Sequence, residues 1–156
     1  MVTPQTGSDT VPESGEFVYE WERLARKGLI EDAIVEYVRR NDWVTFVELQ
    51  NHLAAYMEVK GDHGLCLPNE PHALIWVNMS KRFVGIVQGL LVAKRLFLHP
   101  GSYLSYLIDG GLCTLPIVKR IPKAGLKKDH WLPACLRVVP LTEPRAKRKS
   151  KGEVQA

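Results

Sequence analysis

The sequence predicts an α+β domain with a three-helix core, a small antiparallel sheet and a polar tail at each end. Three observations support this prediction. Apolar residues recur at helical spacing in three segments, capping residues precede two of these, and two β-type runs follow the third helix. The chain has 156 residues, 46% of them hydrophobic, which suffices for one domain with a substantial core.

Two helices are predicted between residues 14 and 41. Phe17, Trp21 and Leu24 are four and three residues apart, and Gly28 follows them as a helix stop. The next segment has acidic residues in its first turn, arginines in its last and Asn41 at its end, which suits the helix dipole. Its apolar stripe at i, i+3, i+4, i+7 and i+8 consists of Ile30, Ala33, Ile34, Tyr37 and Val38.

Two further helices have predicted N-caps. Thr45 stands three residues before Glu48, which is the spacing of a capping box, and its helix is expected to reach about Tyr56. Ser80 caps a helix over residues 81–95. The inward stripe of this helix is predicted to be Phe83, Ile86, Val87, Leu90 and Leu91.

The remaining elements are predicted from turn residues and short apolar runs. Glycines and prolines over residues 57–72 indicate a loop with room for a small hairpin, followed by a buried strand or extended link at 72–77. A strand ending at Pro100 and Gly101 and a second over 112–120 are expected to pair. One or two helical turns are expected between them, and another strand over 135–139.

Composition divides the chain into five parts. Residues 1–14 and 143–156 are polar and are expected to be disordered tails. Residues 15–28 form a helical extension, 29–120 the folded domain, and 121–142 a basic extension that packs on it. Nothing resembles a secretion signal or a bilayer-spanning run, so we expect a cytoplasmic protein without a membrane partner.

Charge is distributed unevenly along the chain. Residues 1–72 hold 6 Lys and Arg against 13 Asp and Glu, net −7, whereas residues 73–156 hold 15 against 4, net +11. A strongly cationic surface attracts polyanions and releases condensed counterions from phosphates. Double-stranded DNA is therefore the first partner that we expect.

The order of elements resembles a winged helix, the elaborated helix-turn-helix of many transcription regulators. The resemblance covers residues 29–120 and rests on a helix, a short extended piece at Trp43–Thr45, a capped helix, a third helix and two strands. It departs from the family where about 24 residues separate Tyr56 from Ser80, instead of a turn of 3–4 residues. The resemblance implies that helix 81–95 lies in the major groove.

The predicted DNA-binding residues form two groups. On the outer face of helix 81–95, Lys81 and Arg82 could contact guanine edges or phosphates, and Gln88 could pair with adenine. A cluster suited to a flexible arm along phosphates follows the presumed wing. Its members are Lys119, Arg120, Lys123, Lys127 and Lys128. The terminal run from Arg145 to Lys151 adds attraction that is independent of sequence.

No catalytic or cofactor motif is found, so we predict a protein that is not an enzyme and needs no cofactor. His99 near Ser102, Asp62–His63 and Asp129–His130 are ordinary turn and loop residues. Cys66, Cys113 and Cys135 are spaced wrongly for common zinc motifs, and we expect buried, small hydrophobic cysteines and no metal site.

A protein-interaction adaptor of winged-helix type is the alternative. Its docking surface would consist of the acidic residues on or near the second helix, together with the Phe17, Tyr19 and Trp21 segment. The acidic residues are Glu31, Asp32, Glu36 and Asp42. Salt response separates the two functions, because phosphate binding weakens steeply with salt and apolar docking does not.

Overall fold

A computed structural model describes residues 17–141, and the predicted tails at 1–14 and 143–156 lie outside the described residues. The chain combines helices with two small sheets, as expected of an α+β protein. The elements, in order, are α1 (Glu20–Arg26), α2 (Ile30–Asn41), α3 (Phe46–Leu53), β1 (His63–Leu67), β2 (Glu70–Met79), α4 (Lys81–Val92), β3 (Phe97–Pro100), α5 (Tyr103–Ile108), β4 (His130–Trp131) and β5 (Ala134–Arg137).

The first two helices follow the predicted spacing. All five stripe positions of α2 are buried, and the helix ends at Asn41 as expected. α1 begins only at Glu20, where Tyr19 N donates a 3.1 Å hydrogen bond to Glu22 Oε1, and Gly28 (φ +82°) follows its end. Trp21 is 5% exposed and packs edge-on against Tyr37, so it does not belong to an exposed docking segment.

Both predicted N-caps are present. Thr45 Oγ1 accepts from Glu48 N, and Ser80 Oγ accepts from Phe83 N, each at 3.0 Å. The capping box predicted at Thr45 is not completed, because the Glu48 carboxylate instead accepts a 2.7 Å hydrogen bond from Tyr37 Oη. α3 also ends at Leu53, about one turn earlier than predicted.

The three-stranded sheet has the order β1-β2-β4. β1 and β2 form an antiparallel hairpin that pairs His63 with Met79. It therefore extends beyond residues 57–72, where a small hairpin was predicted. β4 pairs in parallel with β2 through Ala73 and Leu74. Gln50 of α3 bonds to the base of this hairpin. Its Oε1 accepts a hydrogen bond from Trp76 Nε1 at 3.0 Å, and its Nε2 donates to the carbonyl oxygens of Val59 (3.0 Å) and Asn78 (3.2 Å).

The predicted pairing of the strand at 95–101 with residues 112–120 is wrong. β3 pairs antiparallel with β5, and Val44 forms a bridge to Leu136 on the other edge of β5. Residues 112–120 form only an isolated bridge, between Ile117 and Trp131. Pro116 cannot donate to a ladder, which disfavours a strand there. The resulting order is Val44, β5, β3.

Helix α5 is present, but it buries only one of its apolar residues. Tyr106 packs on Trp76 and Trp131 with ring centroids 4.8 and 5.1 Å away, and its hydroxyl donates to Ala134 O at 2.6 Å. Its other large apolar residues lie at the surface: Tyr103, Leu104 and Leu107 are 46%, 51% and 56% exposed. Trp131 is fully buried.

Candidate nucleic-acid interface

The outer face of α4 is open to solvent. The stripe on its other side is buried or half-buried, and the Ser80 cap fixes where the helix begins. Lys81, Arg82 and Gln88 are all exposed, as predicted. A Cβ added at Gly85 or Gly89 would meet no atom within 4 Å, so another surface can approach this face closely.

Lys81 and Arg82 sit where positive charge is unfavourable. The first turn of α4 holds no acidic residue, and neither cation forms an ion pair with any residue of the described chain. Because the helix dipole places partial positive charge at this end, each of the two cations raises the free energy of the folded state by about 0.3–1 kcal/mol. An anion bound here would relieve that cost.

Five cations crowd into the segment from Lys119 to Lys128, which we call the basic loop. They are Lys119, Arg120, Lys123, Lys127 and Lys128, and every one is exposed. Among the ion pairs of residues 17–141, none involves a member of this loop. None of the five cations therefore forms an ion pair with a carboxylate of the described residues.

The basic loop is held at both ends and in its middle, in contrast to the flexible arm that we predicted. Val118 N donates to Trp131 O (2.9 Å), and Trp131 N donates to Pro116 O (2.7 Å). Leu126 N donates to Glu70 Oε2 at 3.1 Å, which ties the loop to the turn between β1 and β2. Trp131 is buried in the core, and β4 is paired to β2, so the loop is part of the folded body.

The two predicted groups of cations lie at opposite ends of β2. The basic loop contacts Glu70, the first residue of that strand, whereas Lys81 follows its last residue, Met79. A ten-residue strand spans about 30 Å. Leu141, the last described residue, lines the same cavity as Lys119, so the described chain ends beside the basic loop.

The predicted acidic docking surface is largely neutralised by ion pairs. Arg95 Nη2 lies 2.9 Å from Asp32, and Arg39 pairs with Glu36. Arg137 holds both oxygens of Asp42 at 2.8 and 2.9 Å. The hydrogen bond from Arg137 keeps the pKa of Asp42 below its usual range. Of the four acidic residues, Glu31 alone is without an ion pair to the described chain.

Sequence reasoning missed the backbone strain at Asp42 and Trp43. Both have positive φ, 55° and 49°, which is uncommon for residues other than glycine. The Asp42 pair with Arg137 supports this geometry, and Arg137 Cζ lies 4.3 Å from the Trp43 ring centroid. The indole is nevertheless 49% exposed. No local signal predicts this strain at Asp42, because φ 55° with ψ 153° lies in a region that is essentially confined to glycine.

Within residues 17–141 the structure brings together no group of three or more His, Cys, Asp or Glu side chains that could hold a metal ion. His99 is buried and its Nε2 bonds to Val139 O at 2.7 Å, while Ser102 caps α5. Asp129 pairs with His72 at 2.7 Å, not with its neighbour His130. Cys113 and Cys135 are buried as predicted, whereas Cys66 is half-buried.

One polar cluster had no signal in the sequence. Tyr37 Oη contacts Glu48 Oε2 at 2.7 Å and His52 Nδ1 at 3.0 Å, between α2 and α3. Burial, then the hydrogen bond to Glu48, raises the pKa of Tyr37, so its hydroxyl stays protonated as a donor. This cluster joins two helices and faces Trp21, which fits a role in packing.

Comparisons with known proteins give no further information on this site. No protein-family model matches the chain, and no curated protein or solved structure is significantly similar to it. Among the helices of the described residues, none combines the length and the apolar character needed to cross a bilayer.

Proposed function

We propose that this chain is a non-enzymatic protein that binds double-stranded DNA, chiefly through phosphates, in a regulatory or chromosome-associated role. The observation that carries the proposal is the basic loop: five exposed cations without acidic partners, held on a folded support. A preorganised cationic surface binds phosphates at a lower entropic cost than a free arm does.

The arrangement around α4 adds support. Helices α2, α3 and α4 accompany a sheet in which Val44, β5 and β3 are neighbours. In the winged-helix resemblance, β3 and β5 take the place of the two wing strands. The segment between them, residues 101–133, then corresponds to an enlarged wing that carries the basic loop.

In this proposal α4 contributes a second contact through Lys81, Arg82 and Gln88. Gln88 is the one residue of the three suited to reading adenine, and the two glycines beside it present no side chain. Most contacts would then involve phosphates, which position a protein without reading sequence. We therefore expect modest discrimination between duplexes of different sequence.

The test is a titration of a labelled duplex by fluorescence anisotropy at several salt concentrations. The intact chain is compared with Lys123→Ala/Lys127→Ala/Lys128→Ala, with Lys81→Ala/Arg82→Ala, and with a chain truncated after Leu141. Each phosphate contact contributes about 0.9 to the slope of log K against log salt, so the triple variant should lower that slope by about 2.7.

A matched control removes three exposed cations elsewhere: Arg26→Ala/Lys27→Ala/Lys60→Ala. This control changes net charge equally and should leave the slope within about one contact of the intact chain. Equal slopes for the basic-loop variant and the control would mean that binding reflects net charge alone. Absence of duplex binding at low salt would refute the proposal.

A protein-interaction adaptor remains the second candidate, because α5 exposes an apolar surface. Leu107 and Ile108 are 56% and 84% exposed, and Leu112 beyond the helix is 52% exposed. Exposed apolar patches, in contrast to single scattered residues, are typical of interaction sites. Co-purification of a protein partner that resists high salt, together with no affinity for duplex, would favour this function.

A further inference from the structure

A cavity of about 620 Å³ lies between the two sheets. Its lining includes Ile75 of β2, Leu98 of β3, Val118 and Leu132. Small-molecule sites in proteins occupy about 300–1,000 Å³ and are mostly apolar, with a few polar groups that orient the ligand. The volume and the lining of this cavity match that description.

The wall has one strong electrostatic feature. Lys119 is its only lysine or arginine, and no Asp or Glu occurs among the described residues that line it. Lys119 is also exposed and forms no ion pair within residues 17–141. A single cationic residue in a largely apolar lining is complementary to a ligand with one anionic group.

Several apolar side chains of the wall are only partly covered. Leu67, Leu98 and Leu132 are half-buried, while Ile117 and Leu141 are 41% and 58% exposed. An apolar ligand in the cavity would remove these side chains from water, at about 25 cal/mol for each Å² covered. Burial of apolar surface would supply affinity, and Lys119 would set the orientation.

We propose that this cavity binds an amphipathic small molecule with one anionic head group, its apolar part between β2 and β3 and its head group on Lys119. Lys119 also belongs to the basic loop, but the ligand proposal does not rest on DNA binding, since the cavity and its lining are present whether or not the loop contacts phosphates. Carboxylates and phosphate monoesters share the required chemistry, and both are compatible with a lysine, which acts as a compact point charge.

The test uses the purified full-length chain without nucleic acid. Dodecanoate, dodecyl phosphate, dodecanol and dodecyltrimethylammonium are titrated below their micelle concentrations, with affinity measured by calorimetry. Both anions should bind at least tenfold more tightly than the neutral alcohol, because a hydrogen bond to a charged group contributes about that factor. The cation should bind more weakly than the alcohol. A preference between dodecanoate and dodecyl phosphate would identify the source of the head group.

Two lysine variants separate the role of Lys119 from net charge. Lys119→Met should weaken dodecanoate about tenfold and leave dodecanol unchanged. Lys60→Met removes a similarly exposed lysine that does not line the cavity, and should leave both affinities unchanged. Equal loss of dodecanoate affinity in the two variants would overturn the assignment of the head group.

The position of the apolar part is tested by methyl NMR of the unmodified chain, which needs no altered core. Dodecanoate should shift the methyl signals of Ile75, Leu98 and Leu132, while those of Ile34 and Leu53, in the helical core away from the cavity, stay fixed. Absence of anion binding, equal binding of the cationic amphiphile, or shifts outside the cavity would each overturn the proposal.

Discussion

Replacement of Gln50 by leucine tests how the hairpin base is attached to α3. The side chain is 4% exposed and makes three hydrogen bonds. In Gln50→Leu the carbonyl of Val59 keeps Ser80 N as a donor at 3.0 Å, and that of Asn78 keeps Gly61 N at 3.3 Å. The Trp76 indole N–H, in contrast, loses its acceptor inside the core.

The expected cost follows from these partners. A buried donor without an acceptor costs about 1–3 kcal/mol, and each lost bond to a still-satisfied carbonyl costs up to about 1 kcal/mol. Added apolar burial by leucine offsets part of this. We therefore expect the free energy of unfolding to fall by about 2–4 kcal/mol, measured by urea denaturation followed by circular dichroism.

A double-mutant cycle with Trp76→Phe isolates the pair. The double variant should be more stable than additivity predicts by about 1–2 kcal/mol, because neither polar group is then left unpaired. Gln88→Leu makes the same chemical change at an exposed site and should alter stability by no more than about 0.5 kcal/mol. A Gln50→Leu loss as small as that of Gln88→Leu, or strict additivity in the cycle, would refute the reasoning.

Three further predictions concern other contacts. Ser80→Ala removes the cap of α4 and should cost about 1–2 kcal/mol in urea denaturation, whereas Ser80→Thr should keep most of it; equal losses would exclude capping as the cause. The hydrogen bond from Arg137 lowers the pKa of Asp42. The ion pair therefore contributes its full stability above the ordinary carboxyl pKa of about 4, and this contribution is lost as the pH falls through the lowered pKa of Asp42. The difference in melting temperature between the intact chain and Asp42→Asn should accordingly be present at pH 7 and vanish in acid; a constant difference would contradict this. Burial raises the pKa of Cys135 to about 11, so iodoacetamide at pH 8 should alkylate half-buried Cys66 first, as followed by mass spectrometry, and equal labelling rates would show that Cys135 is accessible.

Local patterns predicted the helices well. The stripe of α2 and the caps Thr45 and Ser80 depend on neighbours a few residues away, so periodicity and capping chemistry suffice to find them. At α5, apolar spacing does not show that Tyr106 alone turns inward. Apolar spacing shows that a helix has an apolar side, but the partner surface decides which residues are covered.

Such local patterns do not identify contacts between segments that are far apart in the sequence. β5 is the partner of β3, and the 112–120 run that looked like a strand contains Pro116 and follows Gly110, which ends α5 with φ +92°. Composition located the cations of the basic loop. Its attachment through Trp131 and Glu70 depends on pairing with β2, which no nearby residue signals.

The two ends of the basic loop are joined by hydrogen bonds, and we call this junction its neck. The tip of the loop can therefore accept inserted residues. The hydrogen bonds between Val118 and Trp131 and between Trp131 and Pro116 join the two ends directly. Extra residues grafted between Pro122 and Ala124, both exposed, would leave that neck in place. Loop-closure entropy grows only logarithmically, and doubling a loop costs about 0.6 kcal/mol. A foreign epitope or a reporter tag can thus be displayed there while the body of the protein keeps its architecture.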